Sequence, residues 1–144
     1  MRAGWLQRLR NGEALVDPLC GAGTLLIEAA LMAADMAPNL NRGRFGFHGW
    51  AQHDEALWTE LKREADARAS IGRKRCRNRF YGFDESPPAL AAAKSNAMRA
   101  GIPALIEFSG AALGQLQRPE GNPIGELDRR RAGAAFLCIS SKPP

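Results

Sequence analysis

Residues 14–24 read Ala-Leu-Val-Asp-Pro-Leu-Cys-Gly-Ala-Gly-Thr, a short apolar run that ends at an acid and leads into two glycines. The apolar run at residues 14–16 predicts a buried strand. Gly21 and Gly23 predict a tight turn, where the backbone can pass close to a ligand. From Thr24 to about Met36 we expect a helix whose apolar face is formed by Leu25, Ala29, Met32 and Met36.

Three further apolar runs predict the other strands of a sheet, at residues 80–83, 105–108 and 134–139. Because strands alternate with helical segments, the expected fold class is α/β with a mostly parallel sheet. Ligands bind beyond the carboxyl ends of such strands. The candidate positions are therefore residues 17–24, Asp84 with Glu85, and the segment after Phe108.

Two more long helices are expected. One runs from Asp54 to Ser70, with Gly72 as its stop and an apolar face at Leu57, Leu61, Ala65 and Ala69. The other has Ser86 as N-cap and Pro87 at its first position, and it ends near Ala100. Residues 38–53 predict an ordered loop rich in glycine and aromatic residues, and residues 111–117 predict a short helix.

The net charge of +5 is concentrated in one segment. Residues 62–79 hold eight basic and two acidic side chains, so the rest of the chain is close to neutral. Such a run is most often a solvated face; the alternative is a phosphate-binding patch with salt-dependent affinity for nucleic acid. The candidate RNA contacts are Arg73, Lys74, Arg75, Arg77 and Arg79.

Length, composition and cysteine usage exclude several classes of protein. The 144 residues suit one domain, and no apolar run is long enough for a membrane span or placed as in a signal peptide. Cys20, Cys76 and Cys138 fit neither a disulfide framework nor a zinc site, which indicates a reducing cytosol. His48 and His53 have no acidic or cysteine partner at ligand spacing, so no metal is expected.

The glycine turn does not match two common nucleotide motifs. A dinucleotide fold needs Gly-x-Gly-x-x-Gly and an acid about 20 residues further on, but Leu26 occupies the third position and Asp84 lies much further away. The Gly-x-x-x-x-Gly-Lys-[Ser/Thr] motif of P-loop hydrolases is absent. Two interpretations of Asp84 stay open: an acceptor for two ribose hydroxyls, or an acid near the positive end of a helix dipole.

Residues 17–30, Asp-Pro-Leu-Cys-Gly-Ala-Gly-Thr-Leu-Leu-Ile-Glu-Ala-Ala, resemble the first cofactor motif of amino-methylating, S-adenosylmethionine-dependent methyltransferases. The sequence from Val16 to about Phe108 resembles one family more closely, the bacterial 23S rRNA guanine-N2 methyltransferases, which are often fused to a second rRNA methyltransferase. The segments that carry this likeness are Ala37-Pro38, Asn41-Arg42, Phe45-Gly46-Phe47, Trp50, His53-Asp54, Leu57-Trp58 and Phe80-Tyr81-Gly82.

The resemblance implies a Rossmann-like class I methyltransferase fold, S-adenosylmethionine as cofactor, and methyl transfer in the cytoplasm to the exocyclic N2 of a guanine in 23S rRNA. It also places the basic segment inside a family insertion at residues 38–79. The implied cofactor contacts are Asp17, Gly21 and Gly23 around the methionine end, Thr24 at the start of the facing helix, and Asp84 on the ribose hydroxyls with Glu85 beside it.

The chain departs from the family's pattern at two places. The acidic contact near the adenine amino group falls on Ala111. The Asn-Pro-Pro-Tyr motif, whose oxygens accept hydrogen bonds from the target amine, falls on residues 140–144, where Lys142 offers donors but no acceptor. We therefore name no catalytic residue and expect an incomplete domain: a cofactor-binding part at residues 1–118 and a divergent or truncated tail at residues 119–144.

Two other functions stay open from the sequence. One is a non-catalytic RNA- or cofactor-binding remnant that lacks Asn-Pro-Pro-Tyr. The other is an adenine-N6 DNA methyltransferase, because that group shares the first cofactor motif.

Overall fold

A four-stranded parallel sheet forms the centre of the molecule, in a computed structural model that describes residues 5–10, 14–76, 80–112 and 136–138. The strand order is β3-β2-β1-β4. The strands are β1 (Ala14–Asp17), β2 (Phe80–Asp84), β3 (Ile106–Gly110) and β4 (Phe136–Cys138). The predicted α/β class and all four predicted strands are confirmed.

Four α-helices accompany these strands: α1 (Trp5–Arg10), α2 (Thr24–Ala33), α3 (Glu55–Arg75) and α4 (Pro87–Arg99). A short 3-10 helix, Gly46–Gly49, lies within the predicted loop. Helix α1 was not expected, and the predicted helix at 111–117 falls largely outside the described residues, as does the predicted boundary between residues 118 and 119. No helix in the described ranges combines the length and the apolar character that a membrane span needs.

The start of α4 follows its sequence signals. Ser86 has extended backbone angles, and its side chain accepts a hydrogen bond from the N–H of Ala89. Pro87 occupies the first helical position, where its missing N–H has no intrahelical partner to lose. Gly101, with a φ of +76°, follows the helix in the left-handed conformation that glycine adopts readily. The predicted cap, first turn and end of this helix are confirmed.

The predicted buried face of α2 is partly wrong. Ala29 and Met36 are buried as expected, but Leu25 and Met32 are exposed, and α2 ends at Ala33, so Met36 lies beyond the helix and the predicted end is wrong. The buried side of the helix consists of Leu26, Ile27, Ala29 and Ala30. The reason is the composition of α2, in which only Thr24 and Glu28 are polar. An apolar period cannot select one face when nearly every position is apolar.

Helix α3 does not stop at Gly72, and this prediction is wrong. The helix continues to Arg75, and Gly72 lies where α3 crosses the end of α2. A Cβ atom at Gly72 would overlap the carbonyl oxygen of Ala34. Glycine is therefore required here for the close approach of two backbones, although it weakens an isolated helix.

The apolar stripe predicted on α3 packs at only one end of the helix. Ala69 is fully buried beside the crossing, whereas Leu57 and Leu61 are 53% and 50% exposed. Next to Ala69, the guanidinium of Arg68 donates two hydrogen bonds to the carboxylate of Asp35, at 3.0 and 2.7 Å. This pair lowers the pKa of Asp35, first through the hydrogen bonds and then through charge. The contacts concentrate at the C-terminal third of α3.

We predict that Gly72→Ala lowers the free energy of unfolding by about 1–3 kcal/mol, because the added methyl group forces α3 away from Ala34. In an open helix the same change would stabilise by about 1 kcal/mol. The sign therefore tests the crossing. Urea denaturation measures it, with Gly43→Ala as control because a Cβ there meets no atom within 4 Å. A Gly72→Ala protein as stable as the wild type would contradict the close contact.

Candidate functional site

The carboxyl ends of β1, β2 and β3 meet at one edge of the sheet. Asp17 at the end of β1 pairs in register with Gly82, and Asp84 at the end of β2 pairs with Gly110. The N–H of Ala111 donates to the carbonyl of Asp84 at 3.2 Å, so the segment after β3 joins the same edge. The three candidate ligand positions, which are residues 17–24, Asp84 with Glu85 and the segment after Phe108, therefore lie at one edge of the sheet, as predicted.

Asp84 holds the glycine turn against the end of β2. One carboxylate oxygen accepts a hydrogen bond from the N–H of Gly21 at 2.9 Å, and the other accepts from the N–H of Ser86 at 2.9 Å. The residues Gly21 and Asp84 are 63 positions apart in the sequence, and no local signal predicts their contact. A carboxylate oxygen accepts more than one hydrogen bond, so both oxygens of Asp84 keep capacity for an external donor.

The two glycines of the turn have different roles. Gly21 has a φ of +54°, and nothing lies within 4 Å of the position a Cβ would take, so the conformation alone favours glycine. Gly23 has a φ of +78°, and a Cβ there would lie 2.9 Å from the ring of Phe108. Gly82 in β2 is also crowded by Phe108 and by Leu26. The ring of Phe108 thus leaves no room for a side chain at Gly23 or at Gly82. A glycine inside a strand, such as Gly82, is the sequence signal for such a close approach.

The first turn of α2 faces this edge without a side-chain cap. Its N-cap residue is Gly23, which has no side chain to accept a hydrogen bond, and Thr24 begins the helix in an exposed position. The N–H groups of a first helical turn attract anions. The side chain of Asn96 on α4 donates to the carbonyl of Ala22 at 3.0 Å and fixes the turn from the other side.

Asp17 is the one buried acid among the described residues, with 1% of its surface exposed. Its carboxylate accepts a hydrogen bond from the N–H of Leu19 at 3.2 Å. Burial raises the pKa of Asp17, the hydrogen bond from Leu19 opposes that rise, and the nearby charge of Asp84 adds to it. Asp17, Asp84 and the glycine turn together form a polar edge beside an apolar sheet.

Cys20 and Glu85 lie beside these groups in different environments. Cys20 is buried, and burial raises the pKa of its thiol to about 11, with the charges of Asp17 and Asp84 contributing. A thiol with such a pKa is a poor nucleophile, and Cys20 packs within the hydrophobic core. Glu85 follows Asp84 and is exposed.

The basic run lies at the end of α3. Arg73, Lys74 and Arg75 form its last turn and are all exposed, whereas Arg77 and Arg79 lie outside the described residues. Successive residues of an α-helix project about 100° apart, so the three side chains leave the helix in three directions. Arg73 turns back toward the core, and its Nη1 lies 3.9 Å from the sulfur of Met36.

Aromatic rings connect the loop before α3 to the helix. The ring of Trp58 makes edge contacts with Phe45, Phe47 and His48, with centroids 5.4, 5.0 and 5.5 Å apart. Trp50, in contrast, is 71% exposed. Asp54 caps α3 by accepting a hydrogen bond from the N–H of Leu57, which confirms the predicted start of the helix.

An acid does approach the two histidines, contrary to the expected spacing. His48, His53 and Glu55 place ligand-type atoms within 4.8 Å of one another. Nδ1 of His48 accepts a hydrogen bond from the N–H of Phe45 at 2.8 Å, and within the cluster Nε2 of His53 lies 2.8 Å from a carboxylate oxygen of Glu55. We interpret the cluster as a set of contacts that stabilises the start of α3.

Comparison with known proteins places residues 3–125 in a family model described as UPF0020, RMKL-like, methyltransferase domain. A ribosomal RNA large subunit methyltransferase K/L from Chromohalobacter salexigens is 66% identical over 121 residues, which are 84% of this chain. The enzyme of the same name from Aeromonas salmonicida is 46% identical over 145 residues, 99% of this chain. The chain spans only 16% and 20% of the lengths of these two relatives.

Solved structures show the same fold. SMU.472, provisionally described as a methyltransferase and solved in complex with SAH, is 31% identical and superposes with a TM-score of 0.65 over 83% of this chain and 33% of its own. A protein from Clostridium difficile 630, described as a possible methylase, is 34% identical with a TM-score of 0.67 over 76% of this chain and 28% of its own. The Rossmann-like methyltransferase fold is confirmed.

We predict that Asp17→Asn removes a pH-dependent loss of stability. Because the folded state raises the pKa of Asp17, it binds a proton more tightly than the unfolded state does. The contribution of Asp17 to the stability of the wild type should therefore fall as the pH rises from the ordinary value of 3.8 through the raised pKa. Urea denaturation between about pH 4 and pH 7 measures this fall.

The asparagine cannot ionise and still accepts the hydrogen bond from Leu19. The stability of the variant relative to the wild type should thus increase across that range of pH. The surface change Glu107→Gln serves as control for loss of a carboxylate. A constant difference between Asp17→Asn and the wild type would contradict the prediction.

Proposed function

The chain belongs to the UPF0020 family of RMKL-like methyltransferase domains, and on that premise we propose that it binds S-adenosylmethionine for methylation of guanine N2 in 23S rRNA. The observation that carries the proposal is the contact of Asp84 with the N–H of Gly21 at the carboxyl edge of the sheet. It supports an acid positioned for ribose hydroxyls beside a turn that leads into an uncapped helix.

Each cofactor group has a proposed partner of matching chemistry. The ribose hydroxyls donate to the remaining lone pairs of Asp84, with Glu85 as a second acceptor nearby. The carboxylate of the methionine end faces the N–H groups of the first turn of α2, which begins at Thr24. Asp17, Gly21 and Gly23 line the same end, where glycine lets the backbone come close. The solved relative SMU.472 holds SAH, the product that remains after methyl transfer.

The bound cofactor supplies an electrophilic methyl group. The chain's task is to hold that group in line with the lone pair of the guanine amine. We assign no residue to the acceptor role for the amine, because Lys142 occupies the position of the family's asparagine. This substitution favours the second candidate function, a non-catalytic RNA- or cofactor-binding remnant. Residues 1–118 and 119–144 remain the proposed division of the chain.

The proposed partner is 23S rRNA, and the proposed place of action is the cytoplasm. Two relatives are named for ribosomal RNA of the large subunit, and the basic run at the end of α3 offers exposed cations for phosphates. Arg73 to Arg75 are the described members of that run, and Arg77 and Arg79 stay predicted contacts.

We predict that Asp84→Asn weakens S-adenosylmethionine binding by about 10- to 100-fold. The amide retains one acceptor oxygen, loses the charge, and points an NH₂ group at a backbone N–H, which costs about 1.5–3 kcal/mol for a charged hydrogen bond. Isothermal titration calorimetry measures the dissociation constant, with circular dichroism as a check on folding. Glu107→Gln, an exposed acid on β3, is the control and should bind like the wild type. Unchanged affinity in folded Asp84→Asn would contradict the assignment of Asp84.

One measurement, the transfer of a methyl group to RNA, distinguishes the two candidate functions. Tritiated-methyl transfer from S-adenosylmethionine to unmodified 23S rRNA supports the methyltransferase and shows that Lys142 does not prevent catalysis. Binding of cofactor and RNA with no transfer supports the remnant. Absence of cofactor binding by the wild type would contradict both the cofactor and the proposed reaction.

A further inference from the structure

We propose that the main RNA contact lies along one flank of α3, in a groove between this helix and the loop before it, and that the contiguous basic run contributes less. The inference rests on the proposed function. The groove has a volume of about 750 Å³. The lining residues that matter here are Arg44, His48, Trp58, Lys62, Arg63 and Asp66. We call it the α3 groove.

Cations from two elements line the α3 groove. Arg44 comes from the loop, and Lys62 and Arg63 come from the middle of α3. Asp66 pairs with Lys62 at 3.3 Å on the exposed side, and such a pair contributes little and yields to a stronger anion. Glu55, the other acid of the lining, is hydrogen bonded to His53. Arg44 and Arg63 thus remain for phosphates, with Lys62 available on exchange.

Aromatic rings in the α3 groove are already held in place. Trp58 and His48 line it, and both pack against Phe47, with centroids 5.0 and 4.8 Å apart. Rings fixed in this way lose little entropy when a base stacks on them. Cations beside aromatic surfaces are the arrangement with which proteins bind single-stranded nucleic acid. The groove therefore fits single-stranded RNA better than a duplex, whose bases are stacked internally.

The loop that carries Arg44 is also fixed. Nε of Arg42 donates a hydrogen bond to the carbonyl of Arg44 at 2.8 Å, and the guanidinium of Arg42 lies 5.1 Å from the centre of the Phe45 ring. These contacts hold the backbone of Arg44 beside the groove, where its exposed side chain can reach a phosphate.

Helical geometry joins the α3 groove to one member of the basic run. Lys62 and Arg73 are eleven residues apart, which brings them to within about 20° of one another around the helix and roughly 16 Å apart along it. Lys74 and Arg75 project about 100° and 200° away from Arg73. One RNA strand on this flank reaches Lys62, and it gains Arg73 only when that side chain leaves the sulfur of Met36; it cannot reach all three residues of the run.

The test measures RNA affinity of the full 144-residue chain over a range of salt concentrations, by fluorescence anisotropy. The probe is a labelled single-stranded RNA of roughly 20 nucleotides, longer than the site of one binding domain. Affinity decreases with salt, and the magnitude of the slope of log affinity against log salt becomes smaller by about 0.7 for each phosphate contact that is removed from single-stranded nucleic acid. We expect a fall of about 1.4 for Arg44→Ala/Arg63→Ala and about 0.7 for Lys62→Ala.

Two comparison variants make the test selective. Lys94→Ala is the chemical match for Lys62→Ala. It removes a lysine from the exposed side of α4 and should leave the slope unchanged. Lys74→Ala/Arg75→Ala should change the slope less than Arg44→Ala/Arg63→Ala. The proposal is overturned if the groove pair keeps the wild-type slope, if the Lys74/Arg75 pair accounts for the larger fall, or if duplex RNA binds more tightly than the single strand.

Cofactor titration separates this inference from the proposed function. Each variant should bind S-adenosylmethionine like the wild type, because none of the changed side chains lies at the carboxyl edge of the sheet. Cofactor binding with an unchanged RNA slope would remove the α3 groove and leave the proposed function standing. A wild type that binds RNA through the groove but binds no cofactor would contradict the proposed function alone.

Discussion

The hydrogen bond from the N–H of Gly21 to the carboxylate of Asp84 joins two strand ends that are distant in sequence. It sets where the glycine turn lies over β2, and through that turn it sets the direction of α2. The second oxygen of Asp84 accepts from Ser86 and thereby also fixes the start of α4. The carboxylate of Asp84 thus links the turn before α2 to the start of α4, and these two helices pack against β2 and against each other.

The carboxyl edge of the sheet and the flank of α3 differ in their electrostatic properties. The carboxyl edge is built from backbone N–H groups and partly buried acids, so its interactions with a ligand are short-ranged and weakly screened. The flank of α3 carries exposed cations, whose attraction for phosphates falls steeply with salt. The proposed RNA affinity should therefore depend more steeply on ionic strength than the proposed cofactor affinity.

Local signals in the sequence were sufficient for the strands, for the Ser86-Pro87 start of α4 and for the position of the acids at the strand ends. They failed where a residue serves a contact that is distant in sequence. A glycine such as Gly72 can mark either the end of a helix or a place where two helices cross closely. Only the position of Ala34 in the fold distinguishes the two. The α3 groove was likewise not predictable, because Arg44 and Arg63 share it only through the packing of the loop on Trp58, which no local signal indicates.

The crossing at Gly72 has a mechanical consequence. Helix α3 has 21 residues and is anchored near its C-terminal end, where Ala69 and Gly72 pack and Arg68 binds Asp35. About 25 Å of helix extends from Gly72 to Glu55, so a change of roughly 10° in the crossing angle moves the far end by about 4 Å. Gly72 keeps the two backbones in contact, so any tilt of α3 about Ala34 changes the position of Trp58, on which Phe45 and Phe47 of the loop pack.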